Sequence, residues 1–123
     1  MNPTPSATPA SAAAPLAKRK CKACEGEANR LTDADIASML PHVPGWERTP
    51  DGKEISKTFR FQNYHETMAF VNASAWVSHR EDHHPDMEVG YNKCRVRYST
   101  HSVGGLSEND FICAAKIEAL FAL

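Results

Sequence analysis

Four of the six histidines in this 123-residue chain, His79, His83, His84 and His101, fall within one stretch that also holds Pro85 and runs on to Asp110. Such crowding concentrates chemistry, because an imidazole with an ordinary pKa of about 6.5 donates and accepts protons near neutral pH and also ligates metals. His79 and His83 are four apart, so a helix continuing through both would set them on one face, a spacing common in zinc proteins. Against a metal, His84-Pro85 forces extended backbone just past that helix, and Arg95 and Arg97 share strand parity with His101. The residues alone therefore allow a proton-transfer site, a metal site, or ordinary surface and helix-end histidines. The last description fits His42 and His65 best.

The elements that must position these side chains begin at Leu31. Thr32-x-x-Asp35 has the form of a capping box and Pro41 limits a first helix over about Asp33 to Leu40. Trp46 to Thr49, a Pro50-Asp51-Gly52 turn and the alternating run Glu54 to Phe61 read as a hairpin. Asn63-x-x-Glu66 opens a second helix over about Tyr64 to Arg80, with a broad apolar face. Met87, Val89 and Tyr91, then Cys94, Val96 and Tyr98, alternate as a second hairpin. Ser107-x-x-Asp110 caps a closing helix. The order αββαββα predicts an α+β two-layer sandwich, a four-stranded antiparallel sheet with helices on one face. Such a sheet has open edges, so a homodimer or homotetramer is the expected remedy.

Composition narrows the function classes. With 14 basic and 15 acidic residues the net charge is -1, so no overall field draws the chain to nucleic acid or to an anionic membrane. Its expected partners are small molecules or its own copies. No apolar run approaches the roughly 20 residues that span a bilayer, and the N-terminus lacks a secretory signal, which points to a cytoplasmic protein. Residues 1–30 are Pro/Ala/Ser-rich and then basic, and are expected to be a disordered tail before a domain at 31–123. Cys21-x-x-Cys24 lies in that tail without a second metal-binding pair, so it reads as solvated and non-catalytic, and no structural disulfide is expected.

The pattern His79-x-x-x-His83-His84-Pro85, five residues, Tyr91, nine residues, His101, eight residues, Asp110 resembles the signature of the pterin-4a-carbinolamine dehydratases. The likeness extends over the αββαββα order and over Tyr91-Asn92-Lys93, Ser99-Thr100-His101 and Gly105-Leu106-Ser107-x-x-Asp110. It implies that His83, His84 and His101 are the three active-site histidines, with His79, Pro85, Tyr91 and Asp110 as supporting signature positions. Many members carry an acidic residue where His79 stands, and the animal proteins carry tryptophan where Met87 stands. The implied reaction is loss of water from a 4a-hydroxytetrahydropterin to give quinonoid dihydropterin, which returns the spent cofactor of an aromatic amino acid hydroxylase. It needs a proton for the leaving oxygen and removal of the neighbouring N–H proton, and no cofactor or metal.

On this reading His83 and His101 form the proton-transfer pair and His84 orients the substrate. Met87 is a stacking surface for the pterin. Thr100 and Ser102 either bind the pterin edge or end a strand, and Asp82 either raises the basicity of a neighbouring histidine or is simply solvated. Two other roles accompany the resemblance. One is a dimerisation cofactor of a transcription factor, a binding module. The other is a dehydratase-like protein acting on a molybdopterin-related pterin.

Overall fold

Strict alternation in two strands builds the core. The computed structural model describes residues 15–23 and 26–122. Its elements are α1 (Asp33–Met39), β1 (Glu47–Arg48), β2 (Ile55–Arg60), α2 (Tyr64–Glu81), β3 (Asp86–Val89), β4 (Lys93–Tyr98) and α3 (Glu108–Ala119), with short 3₁₀ turns at Leu40–His42, His101–Val103 and Leu120–Ala122. The strands form one antiparallel sheet in the order β1-β2-β4-β3, with Ile55 opposite Tyr98 and Met87 opposite Val96. This is the α+β arrangement that the alternation and capping signals predict.

Ile55, Lys57 and Phe59 of β2 and Cys94, Val96 and Tyr98 of β4 point to the buried face. They meet Phe111, Ile112, Ala115 and Ile117 of α3 and Phe70 of α2 in a continuous core. Their alternates Ser56, Thr58, Arg95 and Arg97 are only half-buried, so the helices cover one face of the sheet. Lys57 is the exception to an otherwise apolar face. Its ammonium pairs with Glu118 of α3, which also accepts the Trp46 indole N–H at 3.1 Å, so the buried charge is both neutralised and hydrogen-bonded.

Each helix starts where its cap residues stand. Thr32 and Asp35 exchange the two bonds of a capping box, the Asn63 side chain accepts from the Glu66 amide at 2.9 Å, and Ser107 and Asp110 form a second capping box.

The tail departs from expectation before Leu31. Leu16 is buried against the core, Lys116 Nζ donates to the Ala17 carbonyl at 2.7 Å, and Arg19 pairs with Glu108 at 2.6 Å. Further on, the Gly26 amide donates to the Ser102 carbonyl at 3.0 Å. One apolar anchor, worth about 1.5–3 kcal/mol when fully buried, together with side chains of α3 that satisfy the segment's backbone, outweighs a composition that favours disorder. The remainder of the expected tail, residues 1–14 and 24–25, lies outside the described residues.

Candidate active site

Helix α2 ends at Asp82, whose left-handed conformation (φ 50°) is the only positive φ of a non-glycine among the described residues. A short polar side chain tolerates that conformation better than most, at a cost of roughly 1–2 kcal/mol. The amides of Asp82 and His83 both donate to the Ser78 carbonyl, which closes the helix end. The helix therefore stops short of His83, and His79 and His83 do not share the helical face that a zinc-type pair would need. His79 instead packs on Trp76, ring centres 5.3 Å apart.

The turn at Asp82 directs His83 onto a buried carboxylate. His83 Nε2 lies 2.6 Å from Asp110 Oδ1, with the histidine side chain 13% exposed and the aspartate 0%. The other carboxylate oxygen accepts from Thr100 Oγ1 at 2.8 Å and from the Ser107 amide at 3.0 Å, and the Ser107 hydroxyl sits 2.7 Å from that of Thr100. Against an ionised carboxylate, which only accepts, a neutral His83 would carry its hydrogen on Nε2 and keep the lone pair on Nδ1. Tyr98 lies parallel to the His83 ring, 5.8 Å between centres and 11° between planes. Burial holds the Tyr98 phenol well above its ordinary range, with Cys113 and Asp110 adding to the effect and Ser78 opposing it. The ring under His83 is thus a neutral platform.

His101 is held by backbone. The Thr100 amide donates to the Gly105 carbonyl at 2.8 Å, which pinches His101–Val103 into a tight turn anchored by buried Val103. Gly104 closes the turn at φ 73°. Arg30 lies along it, so that a Cβ on Gly105 would stand 3.1 Å from Arg30 Cδ. His101 itself is exposed and opens onto a cavity of about 350 Å³ whose walls include Asp51, Glu54, Ser99 and Thr100. That volume suits one small heterocycle.

The structure thus joins His83, Thr100, Ser107 and Asp110 in one hydrogen-bonded unit, and His101 is attached to it by the chain, adjacent Cα atoms being about 3.8 Å apart. His84 is exposed with its Nδ1 a long 3.4 Å from the Pro85 carbonyl. Met87 packs partly against the core from β3, while Asp82 and Ser102 are exposed. Tyr91 is 65% exposed, and its carbonyl accepts the Thr67 hydroxyl at 2.9 Å.

Thr100, read either as a pterin-edge contact or as the end of a strand, lies just past β4. It is 6% exposed and its hydroxyl is committed to Asp110, so it positions the carboxylate. Ser107 belongs to the unit, and Tyr98 packs against it through the His83 ring, although neither stands out in the sequence as a site residue. The capping box was the available signal for Ser107, since the oxygen that caps α3 belongs to the carboxylate that braces His83. Among the described residues no three His, Cys, Asp or Glu side chains are grouped to hold a metal.

The four-stranded α+β layer thus carries a carboxylate-braced histidine, and a second histidine follows Thr100, which donates to the same carboxylate, on a strand-end turn. Residues 29–120 match the family described as Pterin 4 alpha carbinolamine dehydratase, and the chain belongs to that family. A protein of Nitrosospira multiformis named "Putative pterin-4-alpha-carbinolamine dehydratase" is 58% identical over 108 residues, 88% of this chain and 94% of its own length. A protein of the same name from Stenotrophomonas maltophilia is 58% identical over 106 residues, 86% of this chain and 91% of its own. Matches of that length cannot fit after Arg30, so they include part of the docked segment. Among solved structures, a transcriptional coactivator/pterin dehydratase from Brucella melitensis superposes with a TM-score of 0.72 at 30% identity, covering 75% of this chain and 98% of that one. A pterin dehydratase-like protein described as a RuBisCO assembly factor gives 0.54 at 26% identity, covering 62% and 88%.

Proposed function

We propose that the protein dehydrates a 4a-hydroxytetrahydropterin, and the observation that carries the reading is the His83–Asp110 pair beside the His101 turn. His83 acts as base. Its Nδ1 takes the proton from the ring nitrogen next to the hydroxyl-bearing carbon, and Asp110 stabilises the imidazolium that forms. The nitrogen's electron pair becomes the new C=N bond as the C–O bond breaks, and protonated His101 supplies the proton with which the hydroxyl leaves as water. No redox change occurs, and the nitrogen supplies the electron push, so the step calls for neither nicotinamide nor metal.

His84, Asp82 and Ser102 orient the pterin, and Met87 packs on its face. The protein works in the cytoplasm as a homodimer or homotetramer that covers the short edge strands β1 and β3, in a cycle that serves an aromatic amino acid hydroxylase. A binding-module role is the second reading. Solvent-exposed Trp76 and Tyr64 on α2 favour it, at 61% and 50% exposure.

The rate of 4a-hydroxytetrahydropterin dehydration with and without the purified protein separates the two. The enzyme reading expects acceleration that a chelator leaves unchanged. A rate equal to the uncatalysed one sinks it, and activity lost to the chelator and restored by zinc sinks its metal-free form.

A further inference from the structure

The docked segment crosses the seam between α2 and α3, and its contacts converge on two sulfurs. The Cys21 amide donates to Glu81 Oε1 at 2.9 Å, at the end of α2. The Lys22 amide donates to Asn109 Oδ1 at 3.1 Å, and Asn109 Nδ2 donates back to the Lys22 carbonyl at 2.6 Å, on α3. Gripped from both sides, Cys21 Sγ lies 3.5 Å from Cys113 Sγ and 3.7 Å from the Asn109 carbonyl. Thiols already in contact need only a small rotation to reach the S–S bond length of about 2.05 Å.

We propose that Cys21 and Cys113 form a reversible disulfide, made by a peroxide and undone by a dithiol, that staples the N-terminal segment across α3 one helical turn from Asp110. The two sulfurs differ as the chemistry requires. Cys21 is half-exposed and Cys113 fully buried, so a peroxide reaches Cys21 first. The Cys21 thiolate attacks a peroxide oxygen, the O–O bond breaks, and the departing oxygen leaves as water, with Cys21 now a sulfenic acid. Cys113 sulfur then attacks Cys21 sulfur and its proton passes to the sulfenic oxygen. The S–O bond breaks and a second water leaves. The two sulfurs lose two electrons in total and the peroxide gains them. The hydrogen bond to Cys21 and burial both push the Cys113 thiol far above the ordinary range, so it keeps its proton until that step.

The closed loop joins positions 92 apart in sequence, so the staple strongly constrains the unfolded chain. The inference stands apart from the catalytic reading, because its readouts are a covalent bond and a melting temperature. The full chain is treated with hydrogen peroxide, digested with trypsin without reduction and mapped by mass spectrometry. The expected product is the Cys21-Lys22 peptide joined to the peptide from Tyr98 to Lys116, lighter than the sum of the two by two hydrogens and separated again by dithiothreitol. The oxidised protein should melt several degrees higher than the reduced one. Cys21→Ser, at the more exposed position, should fold with the reduced melting temperature unchanged and lose both the linked peptide and the rise. The proposal is overturned if oxidation links Cys21 to Cys24 instead, or if Cys21 is driven to sulfinic acid with Cys113 still a free thiol.

Discussion

The two histidines assigned to proton transfer are held in opposite ways. His83 is fixed by side chains, through a buried carboxylate that spends one oxygen on the ring and the other on Thr100 and the start of α3. His101 is fixed by main chain, through a pinched turn whose outer wall is the stem of Arg30. One half of the site is therefore sensitive to the chemistry of a few buried groups, and the other to packing by the segment before α1. The braced half suits a group that must accept charge in place, and the exposed half suits one that meets the substrate and exchanges protons with water.

The sharpest way to break this comparison is through turnover. His83→Ala and His101→Ala should each lower kcat by about 10²- to 10⁴-fold, the usual contribution of a general acid or base. The double variant should fall well short of the product of the two losses, because removing either partner already disables a concerted step. Losses that multiply would mean separate steps. His84→Ala should mainly raise KM, and His42→Ala should alter neither constant.

Stability should separate the halves next. Asp110→Ala strands the Ser107 amide and the His83 ring and leaves the Thr100 hydroxyl only that of Ser107, and each unsatisfied buried group costs about 1–3 kcal/mol. His101→Ala removes an exposed side chain and should leave the melting temperature where it was. Equal thermal shifts for the two variants would show that the bracing network contributes little.

Removing residues 1–30 should have a smaller effect, about 1.5–3 kcal/mol from Leu16 alone, with KM raised as the His101 turn loses Arg30. A truncated chain that melts and turns over like the full one would show the segment's contacts to be idle.

The smallest expected effect is alkaline. Burial pushes the Cys94 thiol up from 9.0 to about 11, so the folded state favours the neutral thiol. The stability this contributes is intact below pH 9.0 and is lost as pH rises through about 11, and Cys113 from above pH 9.0 and Tyr98 from above pH 10.0 act in the same direction. Denaturant midpoints followed across that window should decline, and Cys94→Ala should flatten the early part of the decline. A midpoint that rises with pH there would contradict the assignment.

Local rules reached the elements and their ends. Thr32 with Asp35, Asn63 with Glu66 and Ser107 with Asp110 cap the helices that their spacing announces. What escaped depends on partners distant in sequence. Lys57 sits on the inward parity of β2, but only Glu118, 61 positions away, makes its burial tolerable. Asp110 reads as the third residue of a cap, and nothing local says that its free oxygen meets a ring 27 positions earlier. The end of α2 near Arg80 was legible, but not the left-handed backbone of Asp82 that turns His83 onto the carboxylate, since an aspartate among charged residues looks like a solvated helix end. Leu16 was hidden by its surroundings, a lone apolar residue after a run that composition assigns to disorder.

The ion pair beneath the sheet has an optical consequence. Trp46 donates its indole hydrogen to Glu118 and lies between Phe59 and Tyr98, with ring centres 5.9 and 6.0 Å away, whereas Trp76 stands 61% exposed on α2. An aqueous quencher reaches Trp76 and not Trp46. With Trp76 silenced, the remaining emission comes from a chromophore tied to α3, and its wavelength registers whether that helix is seated on the sheet.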